Sequence, residues 1–335
     1  MTHAPPPGLD ARRLIRLMGE AIGRCELDLT GRTVLTEAAS GAYVVTPVLA
    51  ALAGAHVHAL ARSTAYATTA ELTAVTVELA RLAGVSGRVE LVPGKSPEVV
   101  GAADIVTNSG QVRPIDAATV SQMKPSSVIP LMYESWEYRR SDVDLDACRD
   151  RHIPVAGTNE THPAVDVFSF LGPMAVKQLH DAGIAVYASR IVLLCDNSFQ
   201  PFISDYLHNC GAEVVTAAKL TPELFATRAD AVVLALRPGE DDALTAREAQ
   251  LLGDEAPGAV LVQYWGDADR DALAAAGVPV WPPTPPRRGH MGVLPSAVGP
   301  EAIVRLQAGG LKVGELLARG LDRATPVERA LVQVL

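Results

Sequence analysis

Aromatic side chains are scarce in this sequence: Phe, Trp and Tyr together make up 4% of the 335 residues. Apolar residues as a whole reach 48%, so large cores can form, and Ala, Val and Leu must build them. Such cores suit close helix-on-sheet packing rather than an aromatic-rich β-sandwich. A run of about 18 apolar residues is missing, so no membrane span is expected. The opening MTHAPPPGLDARRLIRLM has no apolar core and does not read as a secretory signal. Basic runs are missing too and the net charge is −9, so nucleic acid is not the expected partner. The four cysteines, Cys25, Cys148, Cys195 and Cys210, show no C-x-x-C spacing and no histidine at zinc-ligand distance. No metal site is expected from them, and reduced thiols in a cytoplasmic protein are the plain reading. Short-period repeats are absent.

What the sequence does contain is an alternation of strand-like and helix-like segments on both sides of one stretch. That stretch is residues 151–179, RHIPVAGTNETHPAVDVFSFLGPMAVKQL. An apolar run over 153–156 reads as a strand, and a polar loop follows over 157–163. From Ala164 to Leu179 apolar residues recur at helical spacing, and Pro163 suits the first turn of that helix. Before it, strands are predicted at 33–38, 56–61, 88–92, 104–108 and 127–132. After it, strands are predicted at 191–195, 213–216, 231–235, 259–264 and 279–281. Helical patterns lie between them, with an amphipathic helix over 10–25 ahead and a long helix over 300–319 behind. Strands separated by helices of this length imply two parallel, doubly wound halves, with the stretch at 151–179 as a hinge.

Ligands of such sheets lie at the carboxyl ends of the strands. After the first strand, Ala39, Ser40 and Gly41 hold the turn into the next helix. With one glycine there, the G-x-G-x-x-G pattern of a dinucleotide site is absent. The second strand ends in Arg62-Ser63, where an acid would hold a ribose 2′-hydroxyl and an arginine accepts a 2′-phosphate. Two readings stay open: a degenerate NADP-type site, or an ordinary turn with a solvent-facing arginine. Asn108, Ser109 and Gly110 end the fourth strand, with Gln111 and Arg113 following. Small polar residues let a ligand lie flat across the sheet edge, and they also suit a turn. Tyr133, Glu134, Ser135, Trp136 and Glu137 follow the fifth strand, and Asn159, Glu160 and His162 follow the hinge strand. Three successive loops loaded with polar and aromatic groups at one edge are the strongest functional signal. In the second half, Asp196-Asn197 ends the first strand without a glycine. That turn is unwelcoming to a pyrophosphate and reads as a substrate-side loop or a helix cap. His290 sits in Arg287-Arg288-Gly289-His290-Met291-Gly292, where the glycines would allow close approach to a ligand. A histidine there can serve as acid or base at neutral pH.

Residues 142–179, with the histidine-containing loop and the helix after it, resemble the hinge and tail of the D-2-hydroxyacid dehydrogenases. Residues 103–146 resemble a segment of the NAD domain of S-adenosylhomocysteine hydrolase. The resemblance implies two Rossmann-like lobes around an interdomain cleft. Two departures stand out. The second-lobe glycine fingerprint of the hydroxyacid enzymes is replaced by Asp196 to Pro201, and their catalytic arginine has no counterpart near Gln263 to Gly266. The dinucleotide is therefore expected in the first lobe.

The resulting expectation has five parts: an N-terminal helix (1–30), a dinucleotide-binding lobe (31–160), a hinge helix (161–185), a second lobe (186–297) and C-terminal helices (298–335). The expected activity is NAD(P)-dependent oxidation or reduction of a small polar metabolite, with NADP preferred over NAD. Ser40, Gly41, Arg62, Ser63, Asn108, Ser109 and Gly110 are the cofactor candidates. His290 and Glu134 are the catalytic candidates. Arg113, Trp136, Glu137, Asn159, Glu160, His162, Asp196 and Asn197 are the substrate candidates. A homodimer fits this layout. The alternatives are a non-redox lyase or hydrolase with a nucleotide-like substrate, and a two-lobed ligand-binding protein.

Overall fold

The computed structural model describes residues 6–335 and divides into two compact units. Unit 1 comprises Met1–Val167 and Gly299–Leu335, and unit 2 comprises Phe168–Val298. Part of the expected N-terminal segment, residues 1–5, lies outside the described residues.

Unit 1 begins with α1 (Ala11–Cys25), whose N-terminal amides at Arg12 and Arg13 are capped by the Asp10 carboxylate. Its buried face is Leu14, Leu17, Met18, Ala21 and Cys25, the spacing of one helical stripe. The sheet then unfolds as β1 (Thr33–Glu37), α2 (Val45–Leu52), β2 (His56–Leu60), α3 (Thr69–Leu82) and β3 (Val89–Val92). It continues through α4 (Pro97–Ala102), β4 (Ile105–Val106), α5 (Ala117–Gln122), β5 (Ile129–Pro130), α6 (Leu145–Asp150) and β6 (Val155–Thr158). Parallel pairing gives the order β3-β2-β1-β4. A parallel bridge from Ile105 to Val128, with Val106 N–H donating to the Val128 carbonyl at 3.0 Å, carries the sheet on to β5 and β6. The full order is thus β3-β2-β1-β4-β5-β6, a doubly wound parallel sheet that runs outward from β1 in both directions.

Unit 2 is contiguous in sequence. It contains α7 (Leu171–Asp181), β7 (Arg190–Leu194), α8 (Gln200–Asn209), β8 (Glu213–Ala217) and β9 (Ala231–Ala235). It ends with α9 (Ala246–Glu255), β10 (Val260–Trp265), α10 (Arg270–Ala275) and β11 (Val280–Trp281). Its five strands are all parallel, in the order β8-β7-β9-β10-β11. The pattern is again doubly wound, with the first strand inside the sheet.

The chain then returns to unit 1 through α11 (Glu301–Arg319), α12 (Pro326–Arg329) and β12 (Val332–Val334). The segment expected to be helical over 298–335 therefore ends in a strand, and β12 pairs antiparallel with β6. Three glycines let α11 lie directly on the strands. A Cβ on Gly309 would come within 2.6 Å of Val165, on Gly310 within 2.5 Å of Met132, and on Gly314 within 2.8 Å of Ile105. Buried Lys312 ties this helix down, reaching the Glu26 carbonyl at 2.9 Å and the Glu315 carboxylate at 2.9 Å. The N-terminal and C-terminal helices thus share the first unit's core instead of forming separate segments.

The hinge helix is shorter than its apolar spacing suggests. It starts at Leu171, after a 3-10 turn over Phe168–Phe170. Upstream, Asp166 holds a left-handed backbone (φ 52°) and pairs with Arg305 at 2.8 Å, while Arg24 bonds the Pro163 carbonyl at 2.6 Å. Val165 and Val167 are buried in unit 1's core from this irregular segment. Their helix-like spacing in sequence reflects two different burials rather than one helical face.

Candidate active site

In unit 1 the strand order reverses between β1 and β4, and the carboxyl ends of these two strands line a cavity of about 450 Å³. Its walls include Glu37, Ser40, Tyr43, Thr64, Tyr66, Asn108, Gly110, Arg113, Tyr133 and Gln307. Four expected cofactor residues, Ser40, Asn108, Ser109 and Gly110, are brought together here. The Ser40 hydroxyl makes no capping bond to the turn Gly41–Val44 that leads into α2. Gly41 itself is exposed with φ 61°. Beneath the cavity, Thr36 Oγ1 lies 3.0 Å from Ser109 Oγ and 2.9 Å from Thr107 Oγ1, a closed hydroxyl network. Asn108 is 1% exposed: its Oδ1 accepts the Met132 N–H at 2.7 Å, while its Nδ2 has no protein partner.

Arg62 and Ser63 stand at the exposed end of β2. The Arg62 guanidinium donates to the Gln111 carbonyl, and its backbone N–H donates to Gln111 Oε1 at 2.7 Å. Ser63 Oγ accepts the Thr69 N–H at 3.0 Å, at the first residue of α3. Arg113 reaches Asp142 at 2.9 Å, and the same carboxylate oxygen accepts the Tyr133 hydroxyl at 2.9 Å.

Sequence reasoning passed over two cavity residues. Glu37 closes β1, and its Oε2 accepts the Gln111 N–H at 2.8 Å. Burial raises its pKa above the usual carboxylate range, against the bonds it accepts from Gln111 and Gly110. Tyr43 lies in the turn before α2, and burial, with the charges of Glu37, Glu160 and Glu137, pushes its hydroxyl up to about 12. The only available signal was the acid at the end of β1, which becomes visible once the strands are aligned side by side.

Beyond the fifth strand, three glutamates gather. Glu134 accepts the Glu160 N–H on Oε1 at 3.0 Å and the Trp136 indole N–H on Oε2, so both of its oxygens are engaged. Burial pushes Glu137 up to about 7, with the charge of Glu134 adding to it and Arg139 opposing. Glu160 is 8% exposed, its carboxyl has no hydrogen bond or ion pair among the described residues, and burial raises its pKa strongly. The chain passes this closely because Gly157 has no side chain: a Cβ there would fall 2.5 Å from the Ser135 nitrogen. The other two residues of this loop have bracing roles. Asn159 Nδ2 donates to the Ala330 carbonyl at 2.8 Å, and His162 Nε2 lies 3.1 Å from the Val327 carbonyl.

In unit 2 the turn after β7 satisfies itself. Asp196 Oδ1 accepts the Arg237 N–H at 2.9 Å, and Asn197 donates to the Ala235 carbonyl at 2.8 Å while accepting the Phe199 N–H at 3.0 Å. Asn197 thus closes an Asx turn ahead of α8, whose own first amides carry no side-chain cap. His290 is exposed in a loop anchored within unit 2. Asp267, which sequence reasoning missed, accepts the Gly289 N–H at 3.0 Å, and Arg288 pairs with Asp242 at 2.6 Å. Gly292 turns out to serve packing: a Cβ there would sit 2.0 Å from the Gln263 carbonyl oxygen. Gly292→Ala is therefore expected to destabilise by about 1–3 kcal/mol or more, since backbone must move to relieve the clash. Urea unfolding checks this; an unchanged midpoint would mean the loop yields freely.

Among the described residues, no helix is long and apolar enough to cross a membrane. No family model matches the chain, and no curated protein matches it. Similar folds occur among solved structures. A dipicolinate synthase subunit from Bacillus halodurans aligns with a TM-score of 0.55 at 12% identity, covering 87% of this chain and 99% of that one. The pyruvate reductase of Chlamydomonas reinhardtii aligns at 0.53 and 13%, covering 90% and 99%. The NAD-dependent formate dehydrogenase from Staphylococcus aureus, in complex with NAD, aligns at 0.50 and 12%, covering 86% and 95%. At these identities the likeness is one of fold. The chain has the two-lobed Rossmann-type architecture of these proteins across most of its length.

Proposed function

We propose that the protein is an NAD(P)-dependent oxidoreductase acting on a small polar metabolite, with the dinucleotide at the carboxyl edge of unit 1. One observation carries the reading: the order β3-β2-β1-β4-β5-β6 has a cavity of about 450 Å³ at the point where it reverses, the place where such sheets take a nucleotide. The turn at Ser40 and Gly41, with no side-chain cap on its amides, supports a phosphate there. Two of the structural neighbours are a reductase and an NAD-dependent dehydrogenase, which supports redox chemistry. His290 is the proposed acid–base group. Glu134, with both oxygens engaged, ties the loop after β5 that carries Trp136 and Glu137 to the loop after β6 that carries Glu160. Arg113, Asn159, His162, Asp196 and Asn197 belong to the proposal only as residues framing the substrate side. The cytoplasm as compartment and a homodimeric state also belong to it; light scattering tests the second.

The cofactor would supply the hydride. NADP preference follows from Arg62 and Ser63, exposed at the end of β2 where a 2′-phosphate would lie. Arg62→Ala is expected to weaken NADPH by about tenfold or more, the loss of one charge-assisted contact, and to leave NADH nearly unchanged. Equal loss for both would remove the preference. The reading itself is tested by thermal shift with NADPH and NADH, followed by nicotinamide absorbance with a carbonyl panel. A cofactor at about 100 times its dissociation constant should add roughly 2.7 kcal/mol of stability. No shift with either nucleotide would sink the assignment and favour the non-redox alternative.

A further inference from the structure

Four carboxylates gather at the carboxyl edge of unit 1: Glu37 after β1, Glu134 and Glu137 after β5, and Glu160 after β6. None of the four has an ion-pair partner among the described residues. The nearby cations offset them only in part: Arg113, which opposes the shift of Glu37, is paired with Asp142, and Arg139, which opposes that of Glu137, is exposed. Within the group, Glu134 is satisfied by the Glu160 N–H and the Trp136 indole, and Glu37 accepts the Gln111 N–H. Glu160 differs. It is 92% removed from solvent, being 8% exposed, and its carboxyl meets no donor. A buried carboxyl without a donor costs free energy unless something supplies one.

Taking this edge as the ligand side, as in the function proposed above, we infer that Glu160, with Glu137 beside it, binds a cationic amine: the metabolite carries a primary ammonium or amidine group. Such a group brings several N–H donors and a positive charge to the one buried carboxyl that lacks both. A metal ion is the weaker occupant, because no three His, Cys, Asp or Glu side chains among the described residues are arranged to ligate one. The groups facing Glu160 are Glu134 and Glu137 from the β5 loop and Tyr43 from the turn before α2. Behind Tyr43 stand Glu37 and Arg113. A bound ammonium stabilises the ionised carboxylates, so binding releases protons where they are still protonated and tightens as pH rises.

The test uses three four-carbon probes of one length: 1,4-diaminobutane, 1,4-butanediol and succinate, by calorimetry in two buffers of different ionisation enthalpy. The diamine should bind at least about tenfold better than the diol or the diacid, with protons released. Glu160→Gln keeps the shape and removes the charge; it should weaken the diamine by about tenfold or more and reduce the proton release, Glu137 remaining. Circular dichroism establishes that this variant folds, and its NADPH thermal shift should match that of the parent. Equal binding of diamine and diol, or unchanged diamine affinity in Glu160→Gln, overturns the inference. Loss of NADPH binding in the parent with diamine binding intact overturns the redox reading and leaves this one standing.

Discussion

Raising the pH from about 5 to about 8 should lower the stability of unit 1, by on the order of 2–3 kcal/mol from Glu137 alone. Its folded pKa, about 7, lies above the ordinary 4.5. The folded state therefore binds the proton more tightly than the unfolded chain. That contribution is complete below the ordinary value and is lost as pH rises through about 7. Glu160 shifts in the same direction, driven by burial and by the charges of Glu137 and Glu134, and steepens the loss. The opposite case is Glu328, which the Thr325 N–H and Arg319 hold down at about 2. Its stabilisation is present above the ordinary carboxylate value and is lost as pH falls toward about 2. Stability should thus peak on the mildly acidic side. In the alkaline range Cys25, pushed up to about 11 by burial, adds a further loss as the unfolded thiol ionises first. Urea midpoints across a pH series measure the profile. Glu160→Gln should make its alkaline fall shallower, with the Glu137 contribution remaining, and leave the acid limb in place. A parent protein equally stable at both pH values would contradict the buried-carboxyl account.

His290→Asn should lower turnover by about 10²–10⁴-fold, the usual contribution of a general acid or base, with nucleotide affinity nearly intact. The loop carrying His290 is held by Gly289 N–H to Asp267, Arg288 to Asp242, and Gly292 N–H to the Tyr264 carbonyl at 2.9 Å. With the fold of the variant established by circular dichroism, a fall in turnover would report on the imidazole. The pH profile offers a second readout, because the limb due to the imidazole should vanish in the variant. Near-native turnover would transfer the acid–base role to the carboxyls around Glu160.

The strands were legible because each is a short aliphatic run bounded by turn residues, as at Ile191–Leu194 and Ala231–Ala235. The hinge was less so: Val165 and Val167 mimic a helical stripe, yet they are buried from irregular backbone next to left-handed Asp166. β12 escaped notice because three residues of an edge strand carry almost no periodicity. The site divides in the same way. Ser40, Asn108, Gly110, Glu134, Glu137 and Glu160 could be read from their places after strands. Glu37 and Tyr43 gain meaning only when β1 is aligned with β4 and the fifth and sixth strands, information that no single segment holds. Asp267 belongs to this second class, since it meets the Gly289 N–H from another loop.

The return of the chain from unit 2 to complete unit 1 sets an order for synthesis. Phe168–Val298 is contiguous and can fold as soon as it leaves the ribosome. The first 167 residues cannot finish: the groove over β4, β5 and β6 stays open until α11 arrives, and β6 keeps a bare edge until β12 pairs with it. An aliphatic sheet face and an unpaired strand edge are thus exposed while more than a hundred further residues are made, the period in which a chaperone would act. Chains truncated after Val298 and released should carry a protease-resistant second unit and a protease-sensitive first one.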